Sequence, residues 1–157
     1  MCSAQFARRL RQGAAGQGRT YRYYQGTPLF AFGTGLSLTT FTHTCTCAAA
    51  AADAVSCSCT VKNTGSMAGD EVVLVYDSLS AAIRAAVGTA HPLPTKRLVD
   101  FQRVSVAAGG SATVAFTIPK QALALTTADG SKKQYPGAHQ LIFSRGNGAD
   151  AAVSVTV

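Results

Sequence analysis

Tryptophan is absent from the 157 residues, which removes the broadest side-chain platform for stacking on a sugar ring or a base. Acid is scarce: seven Asp and Glu stand against 14 Lys and Arg, and none precedes Asp53. Paired carboxylates for acid/base work therefore have few places to arise. His43, His91 and His139 lie far apart with no Gly-x-Ser-x-Gly or comparable nucleophile motif beside them, so each is expected as a surface or half-buried side chain. No window approaches the roughly 18 apolar residues that span a bilayer. Met1 to Gly18 has no uninterrupted apolar stretch of the secretory kind and too little serine for a transit peptide. A membrane is not expected as a partner, and the compartment stays open.

What charge there is sits unevenly. The net charge is +7, and Arg8, Arg9, Arg11, Arg19 and Arg22 supply five of the 14 basic residues. Fixed positive charge attracts any polyanion, but no basic platform interleaved with aromatics follows, which is what base stacking needs. Nucleic acid is not expected as a partner; a solvated tail or part of an interface is. With 47% hydrophobic and 13% charged residues the composition is globular, and the length suits one domain with one core.

From Thr39 onward, short runs of β-branched and aromatic residues are broken by Gly, Asn, Asp and Pro every 8–12 residues or so, the pattern of an antiparallel sandwich. Strands are expected at Thr39 to Cys47, Val55 to Lys62, Glu71 to Tyr76, Leu98 to Val106, Ala112 to Ile118, Ala138 to Ser144 and Ala151 to Val157. A further short strand is framed by Asp129-Gly130 and Pro136-Gly137. Asn63-Thr64-Gly65 reads as a turn whose Asn and Gly tolerate positive φ. Glu71 to Tyr76 carries apolar residues on both faces and is expected to be buried on both. Leu98 to Ile118, turning at Ala107 to Ser111, reads as a hairpin, and Pro119 ends its second strand. Ala48 to Ala54 reads as a loop or a single helical turn, and Ser78 to Pro94 as a crossover holding a short helix.

Cys45-x-Cys47 and Cys57-x-Cys59 place each pair on one face of its strand, and antiparallel neighbours could gather all four thiols. Cys57 and Cys59 continue the apolar alternation of Val55 and Val61, so reduced core cysteines are the favoured reading, with disulfides and a tetrathiolate zinc site as alternatives. Five cysteines, Cys2 included, cannot all pair within one chain. Asp70 and Glu71 are the only adjacent acids, and neighbours on a strand point to opposite faces. Arg103 is expected to pair with Asp100 or to pack along the sheet. No catalytic residue, metal ligand or cofactor is expected, and no substrate-binding residue can be named.

The richest segment is Gly18-Arg19-Thr20-Tyr21-Arg22-Tyr23-Tyr24, followed by Thr27-Pro28-Leu29-Phe30-Ala31-Phe32-Gly33-Thr34-Gly35-Leu36-Ser37-Leu38-Thr39-Thr40-Phe41. Gly33 and Gly35 permit a tight bend or close backbone approach between the anchors Phe30, Phe32 and Leu36, as in a packed linker. It is neither a dinucleotide nor a P-loop: the third glycine, the following helix and a closing Lys-Ser or Lys-Thr are missing.

This segment resembles the junction that leads into the C-terminal fibronectin type III-like domain of family 3 glycoside hydrolases. The resemblance continues through Asn63-Thr64-Gly65, Ala68 to Val73, Lys96-x-Leu98-Val99-x-Phe101-x-Arg103-Val104 and Ala108-Gly109, and so spans most of residues 18–145. Arg19-Thr20-Tyr21-Arg22 is more similar to the β-xylosidase branch than to the β-glucosidases. Ala31, Leu38 and the Cys-rich first hairpin depart from the family pattern.

The resemblance implies an all-β, immunoglobulin-like sandwich of about seven strands at 27–157, behind an irregular arm at 1–26 that is the remnant of a preceding domain. It also implies that the nucleophile and acid/base of a retaining family member, about 5 Å apart, lie on catalytic domains joined to this one in cis. Tyr21, Tyr23, Tyr24, Phe30 and Phe32 would then pack between domains. The competing reading is a stand-alone carbohydrate- or protein-binding module, and a more remote one a small metal or redox protein.

Overall fold

The computed structural model describes residues 18–48, 53–90, 92–146 and 151–157. Cys2, Arg8, Arg9, Arg11, His91 and residues 49–52 of the alanine-rich loop lie outside them.

A single helical turn, α1 (Thr20–Tyr23), precedes β1 (Phe41–Cys47), β2 (Ala54–Asn63), β3 (Gly69–Leu79), helix α2 (Ala81–Val87), β4 (Arg97–Val106) and β5 (Ser111–Pro119). A 3-10 turn at Lys120–Leu123 leads to the two-residue strands β6 (Leu125–Thr126) and β7 (Lys132–Lys133), then β8 (Ala138–Ser144) and β9 (Ala151–Thr156). One antiparallel sheet has the order β1-β2-β5 and the other β4-β3-β8-β9, while β6 and β7 form their own small hairpin. The expected all-β sandwich is therefore present, with seven strands in the two main sheets.

Period-two patterning makes the layers. In β2 the residues Val55, Cys57, Cys59 and Val61 are buried while Ser56, Ser58, Thr60 and Lys62 are exposed. In β5 Val114, Phe116 and Ile118 point inward from the same sheet. They meet Val73, Val75, Leu141 and Phe143 of the other sheet in one core, where the Phe116 and Phe143 rings lie 5.8 Å apart. Outside, the three-stranded sheet carries hydroxyls: Thr44 opposes Thr60 and Thr46 opposes Ser58, and the Thr60 and Thr113 hydroxyls lie 3.2 Å apart. Helix α2 matches the expected crossover helix. Its Ser80 side chain accepts from the Ile83 N–H, Gly88 ends it at φ +56°, and its buried Ile83 and Val87 pack with Leu79 and Leu125 in a smaller second core.

The structure corrects several expectations. β4 and β5 are not a hairpin: β4 pairs with β3 and β5 with β2, so the turn at Ala107 to Gly110 carries the chain from one sheet to the other. The imperfect alternation of β4 comes from a register shift opposite Val75 and Tyr76, where Val99 is passed over. β3 is not buried on both faces along its length: Val72 is 37% exposed, Leu74 is intermediate, and only Tyr76 is closed over.

The cysteines are not reduced core thiols. β1 and β2 align Cys45 with Cys59 and Cys47 with Cys57, and both opposed pairs are disulfides. Cys57 and Cys59 are buried as the alternation requires, so burial and cross-linking coexist at those positions.

Asn63 and Gly65 do not use positive φ. Asn63 is instead a buried hydrogen-bond hub. Its Oδ1 accepts from the Thr39 hydroxyl at 2.6 Å and the Gly65 N–H at 3.0 Å, and its Nδ2 donates to the carbonyls of Met67 at 2.7 Å and Val106 at 3.2 Å. Gly65 is small for a steric reason, since a Cβ there would lie 2.3 Å from the Thr39 Oγ1.

Candidate functional site

The outer face of the four-stranded sheet is apolar where a solvated sheet face would be polar. Along β3 it presents Val72, Leu74 and Tyr76, and the register sets Phe101 beside Leu74 and Leu98 beside Tyr76. Phe101 is 62% exposed. Asp70 closes one end as a polar rim.

The arm before β1 covers the other end. Tyr21, on α1, stands edge-on to Tyr76 with centroids 5.5 Å apart and stacks at a tilt on Phe32 at 5.0 Å. The Arg22 carbonyl accepts from the Thr95 N–H at 2.6 Å, which ties α1 to the approach of β4. Gly33 sets the depth of the arm: at φ +83° its backbone runs against Arg145 and Gly146, and a Cβ would fall 2.6 Å from the Arg145 carbonyl oxygen. The close-approach role expected of the two glycines is thus met at Gly33 and not at Gly35, which has open space around it. Phe30 and Leu36 do not anchor the arm. Together with Leu29 and Leu38 they stay exposed, and Phe32, though stacked on Tyr21, is still 54% exposed.

The arm itself forms a groove of about 810 Å³, lined by Tyr21, Arg22, Tyr24, Phe30 and Phe32, among others, with Lys96 and Gly146 contributed from outside the arm. The Lys96 ammonium sits 4.4 Å over the Tyr76 ring, and partial burial lowers its pKa. Burial first, then the nearness of Tyr21, raises that of Tyr76. The Tyr76 hydroxyl is buried with no hydrogen-bond partner among the described residues.

The polar candidates are dispersed. Asp70 and Glu71 do point apart, Asp70 outward and Glu71 into a buried position. Arg103 pairs with Asp70 at 2.6 Å and not with Asp100, which instead accepts from the Phe101 N–H at 2.8 Å. The reason is the register. Asp70 faces Ser105, which puts Arg103 diagonally beside it, while Asp100 is three residues from Arg103 and therefore on the other face. Hydrogen bonds from Ser105, then from Arg103, hold the Asp70 pKa below the usual carboxylate range. His43 lies on β1 opposite Val61. Among the described residues no group of three or more His, Cys, Asp or Glu is placed to hold a metal ion, and no helix is long and apolar enough to cross a membrane.

His139 is neither on the surface nor half-buried, as expected; it is fully buried, with its Nδ1 2.8 Å from Asp77 Oδ1. Arg97 donates to Asp77 Oδ2 through Nε at 3.2 Å and Nη2 at 3.0 Å. This cluster was not foreseen. Its one signal is an acid inside the apolar run Val72 to Leu79.

Hydrogen bonds hold the Asp129 carboxyl below the usual carboxylate range. The Thr127 hydroxyl, then the Ser131 N–H and hydroxyl, donate to it and lower its pKa from 3.8 to about 2. The folded pKa is depressed, so its contribution to the β6–β7 hairpin is complete above about pH 4 and is lost as pH falls through about 2. A carboxyl ¹³C titration is expected to place the Asp129 midpoint near 2; a midpoint at 3.8 would show those bonds absent in solution.

Residues 71–145 match the Fn3-like family, the fibronectin type III-like domain. The fold is fibronectin type III-like. No curated protein matches the chain. Among solved structures, DesR, a β-glucosidase from Streptomyces venezuelae solved with D-glucose, is 30% identical with a TM-score of 0.70 over 83% of this chain and 16% of its own. The GH3 β-glucosidase of Bifidobacterium adolescentis is 26% identical, with a TM-score of 0.70 over 81% of this chain and 18% of its own. The β-glucosidase of Listeria innocua solved with glucose shares the fold at 24% identity and a TM-score of 0.71, over 96% of this chain and 21% of its own. The fibronectin type III-like chain thus spans about a fifth or less of the length of these structures.

Proposed function

We propose that this chain is the accessory, structural C-terminal domain of a family 3 glycoside hydrolase, inactive by itself and joined in cis to catalytic domains that supply the nucleophile and the acid/base. On this reading residues 1–26 are the remnant of the preceding domain and 27–157 the sandwich. One observation carries it: large apolar side chains stand exposed both on the arm, at Leu29 and Phe30, and on the outer sheet face, at Leu98 and Phe101. Exposed apolar side chains gathered in number mark a contact, and the neighbours are β-glucosidases much longer than this chain. Arg19-Thr20-Tyr21-Arg22 supports a parent acting on β-xylosides or arabinosides rather than glucosides.

The isolated chain is expected to aggregate or self-associate and to become soluble when its catalytic domains are supplied. Phe101→Ser combined with Leu98→Ser should raise the solubility of the isolated chain several-fold and weaken its association with those domains. A monodisperse wild-type chain with no affinity for them overturns the proposal, as does hydrolysis of an aryl xyloside or glucoside by the purified chain above a mock preparation. The aromatic lining of the groove favours one second reading, a carbohydrate-binding module. Saturable binding of xylo-oligosaccharides by the isolated chain would select it.

A further inference from the structure

The two disulfides act on one strand. Among the described residues β1 is an edge strand, paired within its sheet to β2 alone. It exposes Thr42, Thr44 and Thr46 and turns Phe41, His43, Cys45 and Cys47 inward, and of these only Phe41 is fully buried. Its N-terminal end is held without covalent help. Phe41 is in the core, Thr39 bonds to Asn63 at 2.6 Å, and the Thr40 carbonyl accepts from the Thr64 N–H at 2.8 Å. The C-terminal end has weaker anchors: Cys45 and Cys47 are only partly buried, and among the described residues the ladder continues past them through one bond, Ala48 N–H to the Ser56 carbonyl at 2.9 Å. Covalent bonds supply the rest. Cys45–Cys59 and Cys47–Cys57 span separations of 14 and 10 residues and join directly opposed positions, so both act on the β1–β2 pairing and on no other.

We propose that this double bridge is a redox lock on the edge strand. Oxidised, it holds Thr44 to Cys47 against β2; reduced, that half of β1 detaches while the Phe41 end and the rest of the sandwich stay folded. The reductant is a small thiol or dithiol. Its thiolate attacks one sulfur of a bridge to form a mixed disulfide and expel the other cysteine as thiolate, and a second thiol resolves the mixed disulfide. Each bridge takes up two electrons and two protons, yielding two cysteine thiols and one oxidised reductant. Detachment leaves one edge of β2 with unpaired N–H and C=O groups, a template for another chain's strand. Reoxidation recloses it.

The test is amide hydrogen exchange on the full chain, equilibrated first in an oxidising glutathione buffer and then with excess dithiothreitol. Reduction is expected to raise the titratable thiols by four and to quicken exchange at Thr44 to Cys47 on the order of a hundredfold, with β3 and β8 little changed. A variant with valine at Cys45, Cys47, Cys57 and Cys59 should exchange like the reduced protein in either buffer; should it fail to fold, the wild-type comparison stands alone. Any of three results overturns the lock: four thiols still free in the oxidising buffer, unchanged exchange in β1 on reduction, or equal quickening in every strand, which would make the bridges global staples.

Discussion

Asp77→Ala is expected to lower the unfolding free energy by about 3–5 kcal/mol, the usual cost of removing one partner from a buried ion pair. The Asp77 side chain has no exposure, and its Arg97 partner only 15%. Arg97 also donates through Nη1 to the Ala124 carbonyl at 2.5 Å, so the carboxylate holds a guanidinium that ties β3 and β4 to the segment entering β6, while His139 joins β8 to the same point. Truncation leaves that guanidinium without its counter-charge in a place water scarcely reaches. Urea unfolding at neutral pH reads the loss. A combined Asp77→Leu, Arg97→Met and His139→Leu replacement should recover much of it, because an apolar cluster of similar volume carries no desolvation cost. A loss below about 1 kcal/mol for Asp77→Ala would mean that the cluster contributes no more than an exposed pair. Asp70→Ala serves as the control, its pair with Arg103 lying open to solvent.

Asn63→Ala should cost about 3 kcal/mol, since it strips partners from the Met67 and Val106 carbonyls, the Gly65 N–H and the Thr39 hydroxyl, and each buried group left unsatisfied costs ~1–3 kcal/mol before relaxation. Asn63→Asp separates the two halves of the hub. It keeps the acceptor for Gly65 but loses both donors, so it should recover only part of the loss. If the aspartate variant matches wild type in a denaturant melt, the carbonyls of Met67 and Val106 do not depend on the amide.

The strands were legible because a two-residue period survives in single segments: Val55 to Val61 and Val114 to Ile118 declare their inner faces without reference to any partner. Features that depend on register between segments were not. The pattern showed that Cys45, Cys47, Cys57 and Cys59 could meet, but not that each sulfur would directly oppose another. The loop at Ala107 to Gly110 has the composition of a hairpin turn, yet its strands belong to different sheets, and no local signal distinguishes the two. Asn63 illustrates a right position given for the wrong cause: besides its local bonds to Gly65 and Met67, its side chain reaches Thr39 and Val106, which no local pattern announces. The exposed apolar surface was half legible. The aromatic arm stood out, whereas apolar residues on the outer face of β3 read as burial by this chain when Val72 is in fact 37% exposed.

The hydroxyl-bearing outer face of β1, β2 and β5 gives the opposite layer a consequence of its own. With Thr44, Thr46, Ser58, Thr60 and Thr113 on one broad side and Phe30, Leu98 and Phe101 on the other, the domain has an intrinsic top and bottom. Adsorbed to a greasy support or an air–water interface, it would settle one way up, presenting its threonine side to the solution. That side is where an affinity tag or a fluorophore can be attached without disturbing the apolar half.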